Sequence, residues 1–431
     1  MNEATKRKIL WALIVLSCAP LLVLIAFPSD ISLKPLASYL SAIVGYVGIV
    51  LLLWMYILGA KSVMSLLFHD LAPVVSIHKK LGKWGSVAVL VHPLLTTYYY
   101  GESLLYSLVP HIGTEFERHV TLGRIALWLM VVTAILSVYF RKRLGFRTWR
   151  YIHYLAYICV PFALLHAPAI GTRYMNSAAV KAYFFALVVI AIVFTVIRIR
   201  GVFNLDKHAY TVISNEKLSD VDYLLRLKPV SSQIRPRPGQ YVYLKLGYIS
   251  EDHPFSVTQY NESSGELFLT FRTFGMFTHV ASQLTPERHV YVGGPFGSFT
   301  SEITPELPRV VYIAGGIGIT PFVDRILRES TAREQWLFAA NRSPETAVFV
   351  STLRPYLNER CVEVYETAPE TFGLRHETGY LSAAIIEKYL TFAKDCHYFV
   401  CGPPPMMAAT GRILKEMGVP ANQVHTEKFG W

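Results

Sequence analysis

The first 200 residues of the chain consist of long apolar stretches separated by short polar segments. Each stretch holds about 20 residues, the length that an α-helix needs to cross the hydrocarbon core of a bilayer. The sequence therefore predicts six transmembrane helices, at residues 9–27, 36–59, 83–106, 121–140, 150–169 and 179–197. A signal peptide is the alternative for the first stretch, but its long apolar run without a small-residue cleavage pattern favours a retained helix.

After residue 203 the pattern changes to short segments divided by glycine, proline and charged residues. Four of these segments favour the short strands of a small antiparallel barrel, at residues 210–214, 223–228, 241–246 and 267–273. Four later strands alternate with helical segments, as in a parallel α/β sheet, at residues 309–314, 335–340, 361–366 and 396–401. We therefore predict a multi-domain membrane protein with a six-helix transmembrane bundle (1–203), an antiparallel β-barrel (204–304) and a Rossmann-like α/β domain (305–431).

Charge gives this organisation a direction. Of the 431 residues, 52% are hydrophobic and only 16% are charged, and the formal net charge is +11. The basic residues cluster before the first stretch, between alternate stretches and after the sixth, so they mark one side of a membrane by the positive-inside rule. We expect both termini to be cytoplasmic, and the charge gives no support to a nucleic-acid partner. Five cysteines without a CxxC spacing argue against structural zinc and against a disulfide framework.

Four histidines lie along two of the predicted helical regions. His78 and His92 are 14 residues apart, and His153 and His166 are 13 apart. Either separation is about 20 Å along a helix, so one imidazole of each helix lies toward each side of the membrane. We call His78 and His153 the first pair, predicted to be on the inner side, and His92 and His166 the second pair, on the outer side. Each pair could ligate a haem, although interhelical hydrogen bonding or a proton path is the alternative.

The two spacings are not equivalent on a regular helix. At about 100° per residue, 14 steps bring His92 to within about 40° of His78, whereas 13 steps leave His166 well off the face of His153. Pro161 lies between His153 and His166 and could distort that helix.

Arg124 is a further candidate, one turn inside the outer end of the fourth stretch. A buried cation there is costly unless it is paired. A haem propionate, an anionic product or snorkelling to the interface would each accommodate it.

The predicted barrel and α/β domain carry candidate nucleotide sites. A helix beginning near Phe277 could offer its free N–H groups to a pyrophosphate, with Arg272 as a countercharge. The strand at 309–314 runs into a glycine-rich turn, where backbone N–H groups can approach a diphosphate.

In this order, these features make the chain resemble the bacterial NADPH oxidases of the ferric-reductase superfamily. In that family a transmembrane di-haem domain is fused to a ferredoxin-NADP reductase-like dehydrogenase domain, and the resemblance includes the spacings of 14 and 13. The residues that match the flavin motifs are His253, Pro254, Phe255, Ser256, Arg272, Gly275 and Thr278. Those that match the nicotinamide-nucleotide motifs are Gly315, Gly316, Gly318, Thr320, Pro321, Cys401 and Gly402.

The resemblance implies FAD in the barrel, NADP in the α/β domain and two haem b groups held by the two histidine pairs. By the same resemblance, Trp431 stacks on the flavin and must move before nicotinamide docks, while Cys401 lies beside the nicotinamide. Arg342 follows a strand where it could meet a 2′-phosphate, which favours NADPH. Glu345 nearby leaves NADH use open.

The resemblance also implies an integral protein of a bacterial inner membrane that passes electrons from cytoplasmic NADPH to an outer acceptor. Dioxygen is the expected acceptor, giving superoxide, with Arg124 as a candidate catalytic residue and no obligatory cytosolic activator. Many oxygen-reducing relatives carry an arginine in the second span and a histidine one turn past the outer ligand. Here the second span has no arginine and Thr96 occupies that turn. Reduction of a ferric chelate, or of an outer-face partner protein, is therefore the alternative.

Overall fold

A computed structural model of the chain describes residues 3–68, 71–140, 143–170, 177–248, 250–297, 299–300, 303–304, 307, 309–367 and 376–427. The chain forms two compact units, Met1–Arg200 and Gly201–Trp431. Each unit has its own buried apolar core, and each is considered by itself.

The described part of the first unit is helical. Its helices are α1 (Glu3–Leu24), α2 (Leu33–Leu58), α3 (Lys61–Leu67), α4 (Ala72–Tyr100), α5 (Leu104–Leu108), α6 (Glu115–Ile135), α7 (Phe146–His153), α8 (Ala156–Ile170) and α9 (Ala178–Val202). Five segments of the described chain are long and apolar enough to cross a membrane, namely Thr5–Leu24, Leu33–Leu58, Glu115–Phe140, Thr148–Pro168 and Ala178–Val202. They correspond to five of the six predicted spans.

The third predicted span lies in α4, which has 29 residues and is long enough to cross. It does not qualify by composition, because lysines near its start and three tyrosines at its end lower its mean hydropathy. The count of six spans is therefore not established by length and composition.

Two helix pairs dominate the packing of the first unit: α2 runs along α4, and α6 runs along α8. The apolar face of α2 is buried, with Val50 and Leu53 at 1% and 2% exposed. His78 and His92 lie on α4, His153 ends α7, and His166 lies on α8. The histidines of α4 therefore lie beside α2, and that of α8 lies beside α6.

The fifth predicted span is not one continuous helix. α7 ends at His153 and α8 begins at Ala156. Four backbone N–H groups at this junction donate to the carbonyl three residues earlier, those of Tyr154, Leu155, Tyr157 and Ile158. This is the tighter winding of a 3₁₀ helix. The break lies directly after His153, whereas Pro161, where a distortion was expected, lies inside α8.

The second unit begins with a closed antiparallel barrel, which confirms that prediction. Its strands are β1 (His208–Lys217), β2 (Asp222–Pro229), β3 (Tyr241–Lys245), β4 (His253–Tyr260), β5 (Leu267–Arg272) and β6 (His289–Phe296), in the order β1-β2-β5-β4-β3-β6. Helix α10 (Met276–Ser282) follows β5. Alternating inward residues such as Leu225, Leu227 and Leu267 are fully buried and fill the interior. The sequence did not predict β4 or β6; in β6, Gly293, Gly294 and Pro295 disfavour a strand.

A six-stranded parallel sheet completes the second unit, which confirms the predicted parallel α/β domain and its four strands and adds two strands that were not predicted. Its strands are β7 (Arg309–Gly315), β8 (Glu334–Asn341), β9 (Cys361–Tyr365), β10 (His376–Thr378), β11 (His397–Cys401) and β12 (Val424–Glu427), in the order β10-β9-β8-β7-β11-β12. Its helices are α11 (Thr320–Glu329), α12 (Val350–Leu357), α13 (Ala383–Tyr389) and α14 (Pro404–Glu416). Carboxyl ends of parallel strands meet at one edge, where such sheets bind ligands. The glycine turn, Arg342 and Gly402 all follow strand ends at this edge.

Candidate functional site

A cavity of about 420 Å³ lies among the helices of the first unit. His92 of α4 and His166 of α8 both line it, as do Gly45 of α2 and Gly123 of α6. We call it the second-pair cavity. The structure thus brings together two histidines that are 74 positions apart in the sequence.

A hydrogen bond to a neighbouring helix orients each of these two imidazoles. Nδ1 of His92 lies 2.9 Å from the backbone oxygen of Ser41, and Nδ1 of His166 lies 2.9 Å from that of His119. Because a carbonyl oxygen only accepts, each Nδ1 carries the proton and each Nε2 keeps its lone pair. Metal-ligating histidines are held in this way by backbone carbonyls. Thr96 belongs to the same network, since its hydroxyl lies 2.7 Å from that of Ser41.

Two glycines let these imidazoles approach the neighbouring helices. A Cβ on Gly45 would lie 2.7 Å from Nδ1 of His92, and a Cβ on Gly123 would lie 2.6 Å from Nδ1 of His166. Any larger residue would push the ring away from its carbonyl. Neither glycine was predicted from the sequence, because small residues in apolar helices also serve ordinary helix packing.

The first pair also comes together. The ring centroids of His78 and His153 are 6.1 Å apart, with the ring planes at 65°. Two nitrogen–metal bonds of about 2.0–2.1 Å each, together with two half-rings, account for a separation of this size. His153 stacks on Trp149 at 5.1 Å, and its Nδ1 lies 3.2 Å from the hydroxyl of Ser137. Ser137 belongs to a π-helical turn, Leu136–Phe140, of the kind often found at functional sites.

The 3₁₀ turn after His153 explains how a 13-residue spacing serves in place of 14. Five steps from His153 at about 120° rather than about 100° add about 100° of rotation, which is that of one α-helical residue. The same steps each rise about 2.0 Å rather than about 1.5 Å, which adds about 2.5 Å and so more than replaces the rise of about 1.5 Å of the missing residue. We therefore expect the rotation between His153 and His166 to be close to that between His78 and His92.

Arg124 lies on α6 and lines the second-pair cavity. Only 5% of its surface is exposed, so its guanidinium does not snorkel out of the helix bundle. Its charge must be compensated inside the cavity.

In the second unit, the predicted flavin residues around His253 lie on β4. The ring of His253 stacks on Phe277 at 3.9 Å and 22°. Phe255 is 7% exposed and packs into the barrel core, while Pro254 is exposed. Ser256 is 6% exposed, and its hydroxyl has no hydrogen-bond partner among the described residues. A buried hydroxyl without a partner is suited to a bound polar group.

Arg272 is held by a carboxylate that was not predicted from the sequence. Its Nε and Nη2 donate to the two oxygens of Asp222 at 2.8 and 3.0 Å, and Asp222 is fully buried. This fork geometry fixes the plane of the guanidinium, and the pair raises the pKa of Arg272. The partners lie on two β-strands and are 50 positions apart in the sequence, so no local pattern could reveal the pair.

The pair places Arg272 beside the glycine-rich turn of the parallel sheet. A Cβ on Gly316, whose φ is +52°, would lie 3.5 Å from Nη1 of Arg272. The first flavin segment, the second flavin segment and the nucleotide turn therefore converge within one unit.

The loop before α10 leaves open space at the second flavin segment. The hydroxyl of Thr278 accepts hydrogen bonds from the N–H groups of Phe274 and Gly275, at 2.9 and 3.1 Å. Nothing among the described residues lies within 4 Å of a Cβ placed on Gly275. The loop is fixed by its own hydrogen bonds while its surface stays accessible to a ligand.

The glycine-rich turn packs directly against the end of β11. A Cβ on Gly318 would lie 2.4 Å from the backbone oxygen of Cys401, and one on Gly402 would lie 3.0 Å from the Cα of Gly315. The chain then enters α11 at Thr320 and Pro321, both buried. Close backbone approach is therefore why these positions are glycine.

Cys401 is fully buried at the end of β11. Burial, and then the carboxylate of Glu427 on β12, raise the pKa of its thiol. Glu427 is paired in register with Cys401 and was not predicted as a site residue. Trp431, predicted to stack on the flavin, lies outside the described residues.

Arg342 directly follows β8 and is exposed at the ligand-binding edge of the sheet. Glu345 is also exposed, in the short turn Pro344–Thr346. Both the residue that favours NADPH and the residue that leaves NADH open therefore lie at this edge. The preference for NADPH over NADH stays a prediction.

Two parts of the chain match known protein families. Residues 44–164 match the ferric reductase like transmembrane component, and residues 312–412 match the oxidoreductase NAD-binding domain. The first range contains His78, His92 and His153, and the second contains the glycine-rich turn and Cys401.

Individual relatives match about half of the chain. One subunit of the Na(+)-translocating NADH-quinone reductase of Idiomarina loihiensis is 27% identical over 199 residues, which cover 41% of this chain and 48% of the relative. The corresponding protein of Klebsiella pneumoniae is 24% identical over 284 residues, covering 53% and 69%. A ferredoxin NADP+ reductase from Neisseria gonorrhoeae with bound FAD and NADP has a TM-score of 0.46 at 17% identity, covering 52% of this chain and 98% of that one. The chain thus spans about half the length of the first of these relatives.

The cysteines of the second unit allow a pH test. Burial raises the pKa of Cys361 to about 12 and that of Cys396 to about 11, and it raises that of Cys401 as well. We expect no alkylation of these three by iodoacetamide in the native protein at pH 8, and full alkylation after denaturation. Because the unfolded thiols ionise first, the stability from these groups is complete below pH 9.0 and is lost as the pH rises through 11 to 12. Native-state labelling of Cys401, read by peptide mass spectrometry, would contradict the burial described.

The Arg272–Asp222 pair gives a second test. Asp222→Asn removes the charge that orients Arg272, so we expect FAD to bind at least about tenfold more weakly. The measurement is FAD affinity by flavin fluorescence in the full-length protein. Asp220→Asn is the matched control, because Asp220 is two positions away, has a fully exposed side chain and forms a surface ion pair with Lys217. Equal FAD affinity in the two variants would show that Asp222 does not position the ligand.

Proposed function

We propose, from the matches of residues 44–164 and 312–412 to a ferric reductase like transmembrane component and to an NAD-binding oxidoreductase domain, that this chain is a ferric-reductase-superfamily fusion and that it moves electrons across a membrane. The donor is cytoplasmic NADPH, the carriers are FAD and two bis-histidine haem b groups, and the acceptor lies on the outer face. The observation that carries this proposal is the assembly of two separate histidine pairs from α4 and the α7–α8 segment.

The histidine pairs fit haem better than a bare metal ion. Among the residues that the structure describes, no three His, Cys, Asp or Glu side chains converge as a metal site. Two protein ligands satisfy an iron whose other four positions belong to a porphyrin, and such a haem supplies one-electron transfer. The Nδ1 hydrogen bonds of His92 and His166 present Nε2 as the ligand atom, and Gly45 and Gly123 make the room for them.

We propose six membrane crossings, with α4 as the third. The His92–His166 cavity supports this, since α4 must lie in the bundle for His92 to line it. The clusters of lysine and arginine then place both termini in the cytoplasm of a bacterial inner membrane. The first pair is on the inner side and the second pair is on the outer side.

The second unit supplies the electron donor. FAD, when bound, converts a hydride into single electrons. Ser256 and the Asp222-held Arg272 bind the flavin nucleotide, and the turn from Gly315 to Pro321 binds the nicotinamide nucleotide by its backbone. Cys401 and Gly402 lie beside the nicotinamide, Trp431 covers the flavin until the nucleotide enters, and Arg342 meets the 2′-phosphate of NADPH.

Dioxygen is the proposed acceptor: it takes one electron at the outer side and leaves as superoxide. A ferric chelate is the second candidate. The observation that favours it is the state of Thr96, whose hydroxyl is already engaged with Ser41 and with the carbonyl of His92. Thr96 therefore does not offer the cavity the imidazole that many oxygen-reducing relatives have there. Delivery of electrons to an outer-face partner protein is a third outcome of the same test.

The acceptor is tested by giving NADPH in air to the haem- and FAD-loaded protein and following cytochrome c reduction. We expect superoxide dismutase to abolish most of the signal, since superoxide is then the reductant. If the dismutase changes nothing, while ferric citrate speeds NADPH oxidation, the acceptor is iron. If NADPH reduces the haems but neither oxygen nor ferric citrate is reduced, the acceptor is a partner protein.

The glycines give a structural test of the second pair. Gly45→Ala or Gly123→Ala displaces an imidazole, so we expect haem content to fall from two per chain to one. Gly85→Ala is the control on α4, because its Cβ would lie at an ordinary 3.5 Å from Leu51. Pyridine haemochrome analysis of the purified variants measures the content. Two haems in both cavity variants would contradict ligation by His92 and His166.

A further inference from the structure

The second-pair cavity contains a buried positive charge, two of whose nitrogens have no hydrogen-bond partner among the described residues. Arg124 is 5% exposed, and its Nε and Nη1 have no partner among the residues that the structure describes. Glu102 lines the same cavity, but no carboxylate of the described residues lies within ion-pair distance of Arg124. A buried guanidinium in this state is costly unless a ligand supplies the missing charge.

An aromatic side chain holds the guanidinium of Arg124 in place. The guanidinium carbon of Arg124 is 4.9 Å from the centre of the Tyr106 ring. Tyr106 is in turn stacked on His111, at 4.5 Å and 22°. The ring of Tyr106 therefore contacts both His111 and the guanidinium of Arg124. A ring quadrupole attracts a cation but carries no net charge, so Tyr106 positions Arg124 without neutralising it.

We propose that Arg124 and Tyr106 form an anion site inside the second-pair cavity, whose ligand is a carboxylate. Nε and Nη1 each lie beside Nη2, and each of these two edges of a guanidinium can bind a carboxylate in a bidentate way. Two sources of that chemistry exist. One is a propionate of the haem at His92 and His166; the other is a carboxylate of an incoming ferric chelate. This proposal rests on the proposed function, because both sources belong to the outer electron-transfer site.

The site has a consequence for the direction of electron flow. A fixed cation beside the second pair stabilises the negative charge that arrives with an electron. It therefore favours reduction at the second pair over reduction at the first. A carboxylate bound at Arg124 weakens this bias, so the filled and the empty site differ in driving force.

The test compares Arg124→Gln and Arg124→Lys with Arg118→Gln in the haem-loaded full chain. Arg118 is the matched control, because it lies on the same helix and is exposed. Three quantities are measured for each protein: haem content, the midpoint potentials of the two centres, and KM for ferric citrate and for oxygen. The lysine variant keeps the charge but not the fork, so it should retain part of the wild-type behaviour.

The two sources give different results. If Arg124→Gln loses one haem, or lowers the potential of one centre without raising KM for ferric citrate, the ligand is the propionate. If both haems and potentials persist while KM for ferric citrate rises about tenfold and KM for oxygen is unchanged, the ligand is the chelate. If Arg124→Gln matches Arg118→Gln in all three quantities, the anion site is overturned.

A melting experiment on the haem-free protein separates this proposal from the proposed function. Citrate should raise the melting temperature of the haem-free wild type and of Arg118→Gln, but not that of Arg124→Gln. Should the wild type take up no haem, the proposed function fails, while this arm still decides the anion site. The Arg124→Met variant serves if the glutamine variant does not fold. Without haem and citrate, its melting temperature should be no lower than that of the wild type, because it lacks the unpaired buried charge. No effect of citrate on the haem-free wild type would exclude the chelate as the ligand; combined with two haems and unchanged potentials in Arg124→Gln, it would overturn the anion site.

Discussion

The hydrogen bond from Nδ1 of each second-pair histidine to a backbone carbonyl is the constraint on which the proposed electron path depends. Within an apolar bundle a polar ring atom has no water to bind, so it must find a partner on a neighbouring helix. Ser41 and His119 supply those partners at 2.9 Å. The carbonyls fix the tautomer and the tilt of each ring, and the two facing glycines make the distance attainable. What remains free on each ring is the one atom that can bind a metal.

Depth in the membrane is set by a second constraint, the rotation of the chain between histidines. The α4 segment uses 14 regular steps, whereas the α7–α8 segment uses 13 steps with a 3₁₀ turn after His153. The tighter turn supplies the rotation of the residue that is missing and more than its rise. We therefore expect the two unequal sequence spacings to give nearly equal rotations, and both pairs can form between the same two helical regions.

The sequence predicted much of this architecture because the relevant signals are local. Apolar length revealed five of the spans, alternation revealed most of the barrel, and a glycine-rich turn after an apolar strand revealed the nucleotide edge. What it missed is long-range. Gly45 and Asp222 gain their meaning only from His92 and Arg272, which other elements bring to them. The break after His153 was not predicted, since a 3₁₀ turn leaves no composition signal comparable to the proline at Pro161.

The most direct test of two bis-histidine centres is the spin state and number of haems in the purified, reconstituted wild-type chain, measured by electron paramagnetic resonance with a parallel haem assay. Two imidazole ligands per iron leave no open position. We therefore expect two haems per chain, both low-spin in the oxidised protein. One haem per chain, or a high-spin signal from an iron with an open position, would contradict the assignment of four histidines to two centres.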